Sequence, residues 1–138
     1  YAAFTFRARL RDPVRPSFSI ASAGFVGPDR PSPDDAQTLA RSRGIDLSPH
    51  RSSLLDEGTI REWDLIIVMD PSQAERLQTE HGVDARRILL LGDLDPLPGE
   101  GRSIADPWRA STAVLEASYT RVERCVAILA DVLVSGER

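Results

Sequence analysis

Apolar positions recur along this chain with two periods, and the switches between them set the expected elements. Ala3, Phe6 and Leu10 fall on one face at i, i+3 and i+7, which predicts a helix over Tyr1 to Arg11, ended by Asp12-Pro13. Phe18 to Ala21 is short and apolar between Pro16 and Gly24, the pattern of a strand running into a loop. That loop, Gly24 to Pro33, holds three prolines and two glycines. A helix from about Asp34 to Arg43 is expected next, closed by Gly44; Ile45 to Ser48 then leads to His50 and a short helix around Leu54 to Trp63. Leu65 to Met69 is continuously apolar, as a strand at the centre of a parallel sheet with both faces covered would be. Asp70 can cap the following helix with Pro71 at its first position; Ala74 and Leu77 supply its inner face and Gly82 stops it. Ile88 to Leu91 repeats the parallel-strand pattern, Gly92 to Gly101 is loop, and Leu115, Tyr119, Val122, Val126, Leu129 and Leu133 form one apolar stripe on a last helix.

Strands alternating with helices in this way imply βαβ units, so the expected fold class is α/β, with residues 1–138 as one domain. The chain offers only three strand patterns and opens inside a helix with no strand feeding it. We therefore expect a three-layer sandwich with a mainly four-stranded parallel sheet whose first strand precedes Tyr1. A plain N-terminal helix is the alternative on pattern alone.

Composition narrows the function. The 138 residues are 41% hydrophobic and 28% charged, as in an ordinary globular domain. Apolar runs such as Ile88 to Leu91 fall far short of the about 20 residues that cross a bilayer, so no membrane association is expected. No secretory signal pattern opens the chain. The net charge of −4 argues against a nucleic-acid partner. All 17 basic residues are Arg, which reflects coding bias more readily than an anion-binding surface. The single cysteine, Cys125, excludes an intramolecular disulfide and suits a reducing compartment, so the cytoplasm is the expected location. His50 and His81 lie in different elements and no Gly-X-Gly-X-X-Gly occurs, so neither a zinc site nor a dinucleotide site is indicated.

Several short motifs occur in a fixed order: Phe4-Thr5-Phe6-Arg7, Ser22-Ala23-Gly24, Gly44 to Arg51, Asp64 to Asp70, Leu90-Leu91-Gly92, and Asp106-Pro107-Trp108-Arg109 ahead of a helix with Tyr119. As an ordered set they resemble the low-molecular-weight protein tyrosine phosphatases over about Tyr1 to Leu133. The Asp-Pro-Trp-Arg form is similar to bacterial members associated with exopolysaccharide tyrosine kinases. That family carries a Cys-X5-Arg-Ser-Pro loop directly before its first helix. Its backbone N–H groups cradle phosphate and lower the Cys pKa, and its Arg grips the equatorial oxygens. Neither residue is present here, since the position six beyond Cys125 is Asp131. The resemblance thus places both upstream of Tyr1.

The resemblance implies hydrolysis of phosphotyrosine in proteins through a cysteinyl-phosphate intermediate, with no metal or organic cofactor. It makes Asp106 the general acid and base, held extended by Pro107. Trp108 becomes the aromatic wall for a phenyl ring. Ser22 and His50 match positions that shape the phosphate loop, and Asp70 matches an acid near the loop Arg. Read locally, Asp106-Pro107 is also a plain turn, Trp108 a core aromatic at a helix entrance, His50 a solvated loop residue and Asp70 a helix cap. Ser52-Ser53 departs from the family's usual Ala-Arg and puts part of the polar network near His50 in question. The implied partner is a phosphotyrosine protein, with a bacterial tyrosine kinase among the candidates. The alternatives are a catalytically inactive phosphatase-like binding module and, needing redox cysteines absent here, an arsenate reductase.

Overall fold

A computed structural model describes residues 1–10, 18–97, 99 and 101–135. Its elements are α1 (Ala2–Arg9), α2 (Asp34–Ser42), α3 (Glu57–Glu62), β1 (Ile66–Val68), α4 (Pro71–His81), β2 (Ile88–Leu90) and α5 (Thr112–Ser135). The fold class is α/β, as expected. The stop expected for α1 at Asp12-Pro13 lies outside the described residues. The described residues group into two compact units, one within Tyr1–Leu55 and Leu129–Arg138 and the other within Asp56–Ile128.

In the first unit α1 buries Thr5 and Phe6 and α2 buries Ala40. After α2, Gly44 takes a φ of +80°, a conformation that costs a residue with a Cβ. The chain then returns through Ile45, whose N–H donates to the Ala40 carbonyl at 2.9 Å. Two isolated bridges, Gly24 with Leu54 and Pro31 with Arg51, tie the proline-rich loop to the segment after His50. Ser52 is the knot between them. It donates through its hydroxyl to the Gly27 carbonyl, and its Oγ accepts from the Arg30 N–H at 2.9 Å. The departure at Ser52 therefore carries a network of its own.

Phe18–Ala21 does not form the expected strand. An extended segment becomes a strand only when a neighbour takes its backbone groups, and here the Ile20 carbonyl accepts from the Arg7 guanidinium instead. Among the described residues the sheet accordingly has two strands rather than three.

The second unit is built on one βαβ turn of chain. β1 and β2 are parallel, with Ile66 opposite Ile88, Ile67 opposite Leu89 and Val68 opposite Leu90. Among the described residues β1 pairs only with β2, and Ile66 and Ile67 are half-buried. α4 crosses between the strands with the expected punctuation. Asp70 Oδ1 accepts from the Ser72 N–H at 2.8 Å, Pro71 opens the helix, and Gly82 ends it at φ +64°. The Val83 N–H then closes the cap on the Leu77 carbonyl at 3.0 Å, and both side chains are buried.

α3 is capped by Asp56, and its last carbonyls are taken by Arg87, at 2.6 Å for Ile60 and with a further bond to Trp63. Along α5 the stripe is buried at Leu115, Tyr119, Val122, Val126 and Leu129, with Cys125 wholly enclosed and Leu133 half-buried. No helix among the described residues is long and apolar enough to cross a membrane.

Gly82 has open space around a hypothetical Cβ, so a substitution there meets backbone strain and no clash. Gly82→Ala should lower stability by about 1 kcal/mol. In urea unfolding this is read as a lower midpoint with an unchanged slope.

Candidate functional site

The best candidate chemistry in the sequence, Asp106-Pro107-Trp108, lies on an irregular segment between β2 and α5 in the second unit. Asp106 is exposed, and its Oδ1 accepts from the Trp108 N–H at 3.0 Å, which orients the carboxyl against its own turn. Trp108 is 56% exposed, so it is not a core aromatic. The Arg109 guanidinium lies 5.8 Å from its ring centroid. Arg109 itself has a φ of +56°, a left-handed conformation uncommon outside glycine. An exposed acid and a largely exposed aromatic side chain thus lie two residues apart on one turn.

Irregular backbone must satisfy its polar groups without a ladder, and the segment ahead of Asp106 does so against fixed elements. The Ile104 N–H donates to the Met69 carbonyl, just past the end of β1, at 2.8 Å, and Ile104 is buried. The Ala105 carbonyl accepts from Ser118 Oγ on α5 at 3.1 Å. Ser103 Oγ donates to Asp70 Oδ2 at 2.7 Å. Asp70 therefore has two duties, capping α4 and holding the acid-bearing segment. Both bonds favour its charged form, and the Ser72 and Ser103 hydrogen bonds hold its carboxyl below the usual carboxylate range.

Asp95 lies at the centre of this segment's anchorage. Its side chain is 2% exposed and accepts from Arg121 Nε at 2.8 Å and from Arg124 Nη2 at 3.0 Å. A buried carboxylate persists only when paired. The Arg124 hydrogen bond first, then the Leu97 N–H and Arg121, hold its pKa down at about 2. Asp95, Ser103, Ser118, Arg121 and Arg124 carry no sequence motif. The signal available was two arginines three apart flanking buried Val122 on an otherwise apolar stripe.

Ser22 and His50 belong to the first unit, whereas Asp70, Asp106 and Trp108 belong to the second. Ser22 is exposed. His50 is half-buried and meets Phe4 edge-to-face at 5.8 Å between ring centroids. Burial first, then the charges of the N-terminal amine, Arg51 and Arg7, push its imidazole below its ordinary pKa and favour the neutral ring.

Cys125 is fully buried on α5, and burial followed by the Asp95 charge raises its thiol pKa. A nucleophilic cysteine needs the opposite surroundings. Among the described residues no group of three or more His, Cys, Asp or Glu is placed to hold a metal ion.

A family model described as low molecular weight phosphotyrosine protein phosphatase matches residues 4–136. The chain is 30% identical over 121 residues to the probable low molecular weight protein-tyrosine-phosphatase EpsP of Ralstonia nicotianae, covering 87% of this chain and 79% of that one. It is 29% identical over 113 residues to the low molecular weight protein-tyrosine-phosphatase Ptp of Acinetobacter johnsonii, covering 81% and 76%. The crystal structure of the tyrosine phosphatase Wzb from Escherichia coli K30 in complex with sulphate superposes with a TM-score of 0.83 at 25% identity, over 96% of this chain and 87% of that one.

The pH dependence of stability tests the Asp95 anchorage. Its pKa falls from 3.8 to about 2 on folding, so the unfolded chain takes up the proton more readily. The stability this contributes is present above about pH 4 and is lost as pH falls towards about 2. Asp95→Asn should cost about 3 kcal/mol at neutral pH, because Arg121 is left buried without its counter-charge. It should also flatten the stability profile between pH 4 and 2, as read by urea unfolding at a series of pH values.

Proposed function

The chain belongs to the low molecular weight phosphotyrosine protein phosphatase family, and we propose that it supplies the acid half of a phosphotyrosine hydrolase whose thiolate and loop arginine come from a segment ahead of Tyr1. The observation that carries this reading is the exposed Asp106, two residues from the exposed Trp108 on a segment tied down at Ile104 and Ala105.

In the first step the cysteine thiolate attacks phosphorus and the bond to the tyrosine oxygen breaks. Asp106 gives its proton to that oxygen, so the leaving group departs as a neutral phenol. In the second step the Asp106 carboxylate takes a proton from water, which attacks the phosphocysteine. The S–P bond breaks, releasing orthophosphate and restoring the thiolate. Trp108 stacks against the phenyl ring and lowers the freedom of the bound substrate.

Ser22 and His50 hold the shape of the phosphate loop in this reading, with His50 neutral and so able both to donate and to accept. Asp70 faces the loop arginine while remaining the cap of α4. The substrate is a phosphotyrosine protein, a bacterial tyrosine kinase among the candidates. The working compartment is the cytoplasm, where a catalytic thiol stays reduced.

The test uses the complete protein that contains this chain and a phosphotyrosine peptide. Asp106→Asn should lower kcat about 100-fold or more with a small change in KM. Trp108→Ala should act mainly on KM. Turnover unaffected by Asp106→Asn would overturn the acid assignment. No turnover by the unaltered complete protein would favour a phosphatase-like binding module instead.

A further inference from the structure

Asp106 must reach hydrogen-bond distance of the leaving oxygen, about 2.6–3.2 Å, from a segment with no regular structure. A misplacement of about 1 Å costs on the order of 100-fold in rate. Something must therefore fix the backbone just ahead of it. Ser118 and Arg121 stand three residues apart on one face of α5, and both are buried, Arg121 at 7% exposure.

Arg121 Nη1 donates to the Ser103 carbonyl at 2.6 Å, Nη2 donates to the Gly101 carbonyl, and Nε donates to Asp95 at 2.8 Å. One guanidinium thus grips alternate carbonyls of the segment and is itself held by a buried carboxylate. The backbone comes close enough only because residue 92 is glycine. A Cβ at Gly92 would stand 2.0 Å from the Arg102 carbonyl oxygen, between the two carbonyls that Arg121 holds, and 3.2 Å from Arg121 Nη2. Arg102 closes the outside of the same turn through paired bonds of 2.8 Å to Asp93.

Resting on the reading of Asp106 as the acid, we infer that Arg121 is a positioning residue for it: its fork fixes the Gly101–Ser103 backbone, and with Ser118 it sets where Asp106 stands. A lysine cannot replace it. An ammonium is a compact point charge, whereas the planar fork serves Asp95, Gly101 and Ser103 from separate nitrogens at once. Arg121 is enclosed and its bonds run to Asp95 and the segment's backbone, so it acts on the chemistry through where Asp106 stands.

Leaving-group dependence in the complete protein provides the test. Arg121→Lys and Gly92→Ala should each lower kcat/KM for phosphotyrosine, which reads phosphoryl transfer to the cysteine and not the later hydrolysis, about tenfold or more. For an aryl phosphate whose phenol is acidic enough to leave without a proton, the loss should be under about threefold. Arg121→Lys placed on Asp106→Asn should add almost nothing to the loss on phosphotyrosine. Equal losses on both substrates would mean a merely structural role and would overturn the inference.

If Asp106→Asn itself shows no leaving-group dependence, the acid assignment fails and the inference falls with it. If Asp106→Asn shows it and Arg121→Lys does not, only the inference falls. A readout independent of turnover is hydrogen exchange. Arg121→Lys should speed exchange at the Ile104 and Trp108 amides and leave the β1 and β2 amides unchanged, whereas unchanged exchange at Ile104 would also overturn the inference.

Discussion

A carboxylate that is 2% exposed has no water to stabilise it, and the ion pair of Asp95 with Arg121 answers that constraint. The pair does more than neutralise a charge, because each partner is also committed elsewhere. Arg124 reaches Asp95 as well, at 3.0 Å, and Arg121 spends its remaining donors on the Gly101 and Ser103 carbonyls. The segment carrying Asp106 and Trp108 is thereby fastened to α5 by directional bonds rather than by packing alone. Replacing such a pair with apolar groups of similar shape is often neutral for stability. What an apolar replacement would lose here is the aim of the segment.

The same economy of polar groups explains the rest of the second unit. β1 ends at Val68, yet Met69 still offers a carbonyl and Ile104 takes it. Asp70 turns the chain into α4 and accepts the Ser103 hydroxyl at 2.7 Å, so the end of β1, the start of α4 and the acid-bearing segment share one set of bonds. Fixed elements hold the backbone ahead of Asp106, while Asp106 and Trp108 are exposed.

Local signals in the sequence are legible to within a residue or two around α4, whereas α3 begins at Glu57, three residues after the expected Leu54. Asp70, Pro71 and Gly82 bracket α4 because caps and left-handed stops depend on the chain's own neighbours. The β1 and β2 patterns, continuously apolar, were likewise enough to place a parallel pair. Phe18–Ala21 was misjudged because a strand is a relation between segments, and its hydrophobicity says nothing of whether a partner is there. The buried positions of Arg121 and Ser118 were hidden for a related reason. Their partners lie 13 to 26 residues away, and an arginine on an apolar stripe gives no hint of which carbonyls it will meet. Asp106 and Trp108 emerged only through the ordered motifs of the family. The Asp-Pro dipeptide alone describes a turn as well as an acid.

In the proposed function Asp106 gives and takes a proton and Trp108 holds an aromatic ring. Cys125 cannot supply the nucleophile, since it is enclosed beside Asp95 and its thiol is held protonated. The central claim is therefore a division of labour between Asp106 and a cysteine outside this sequence. The most direct measurement is to react the complete protein, with Asp106→Ala to slow breakdown of the intermediate, with an acidic aryl phosphate, quench it and map the phosphoryl group by peptide mass spectrometry. The account predicts a phosphocysteine on a peptide other than the one containing Cys125. A phosphoryl group on Cys125, or turnover with no phosphocysteine formed, would contradict it.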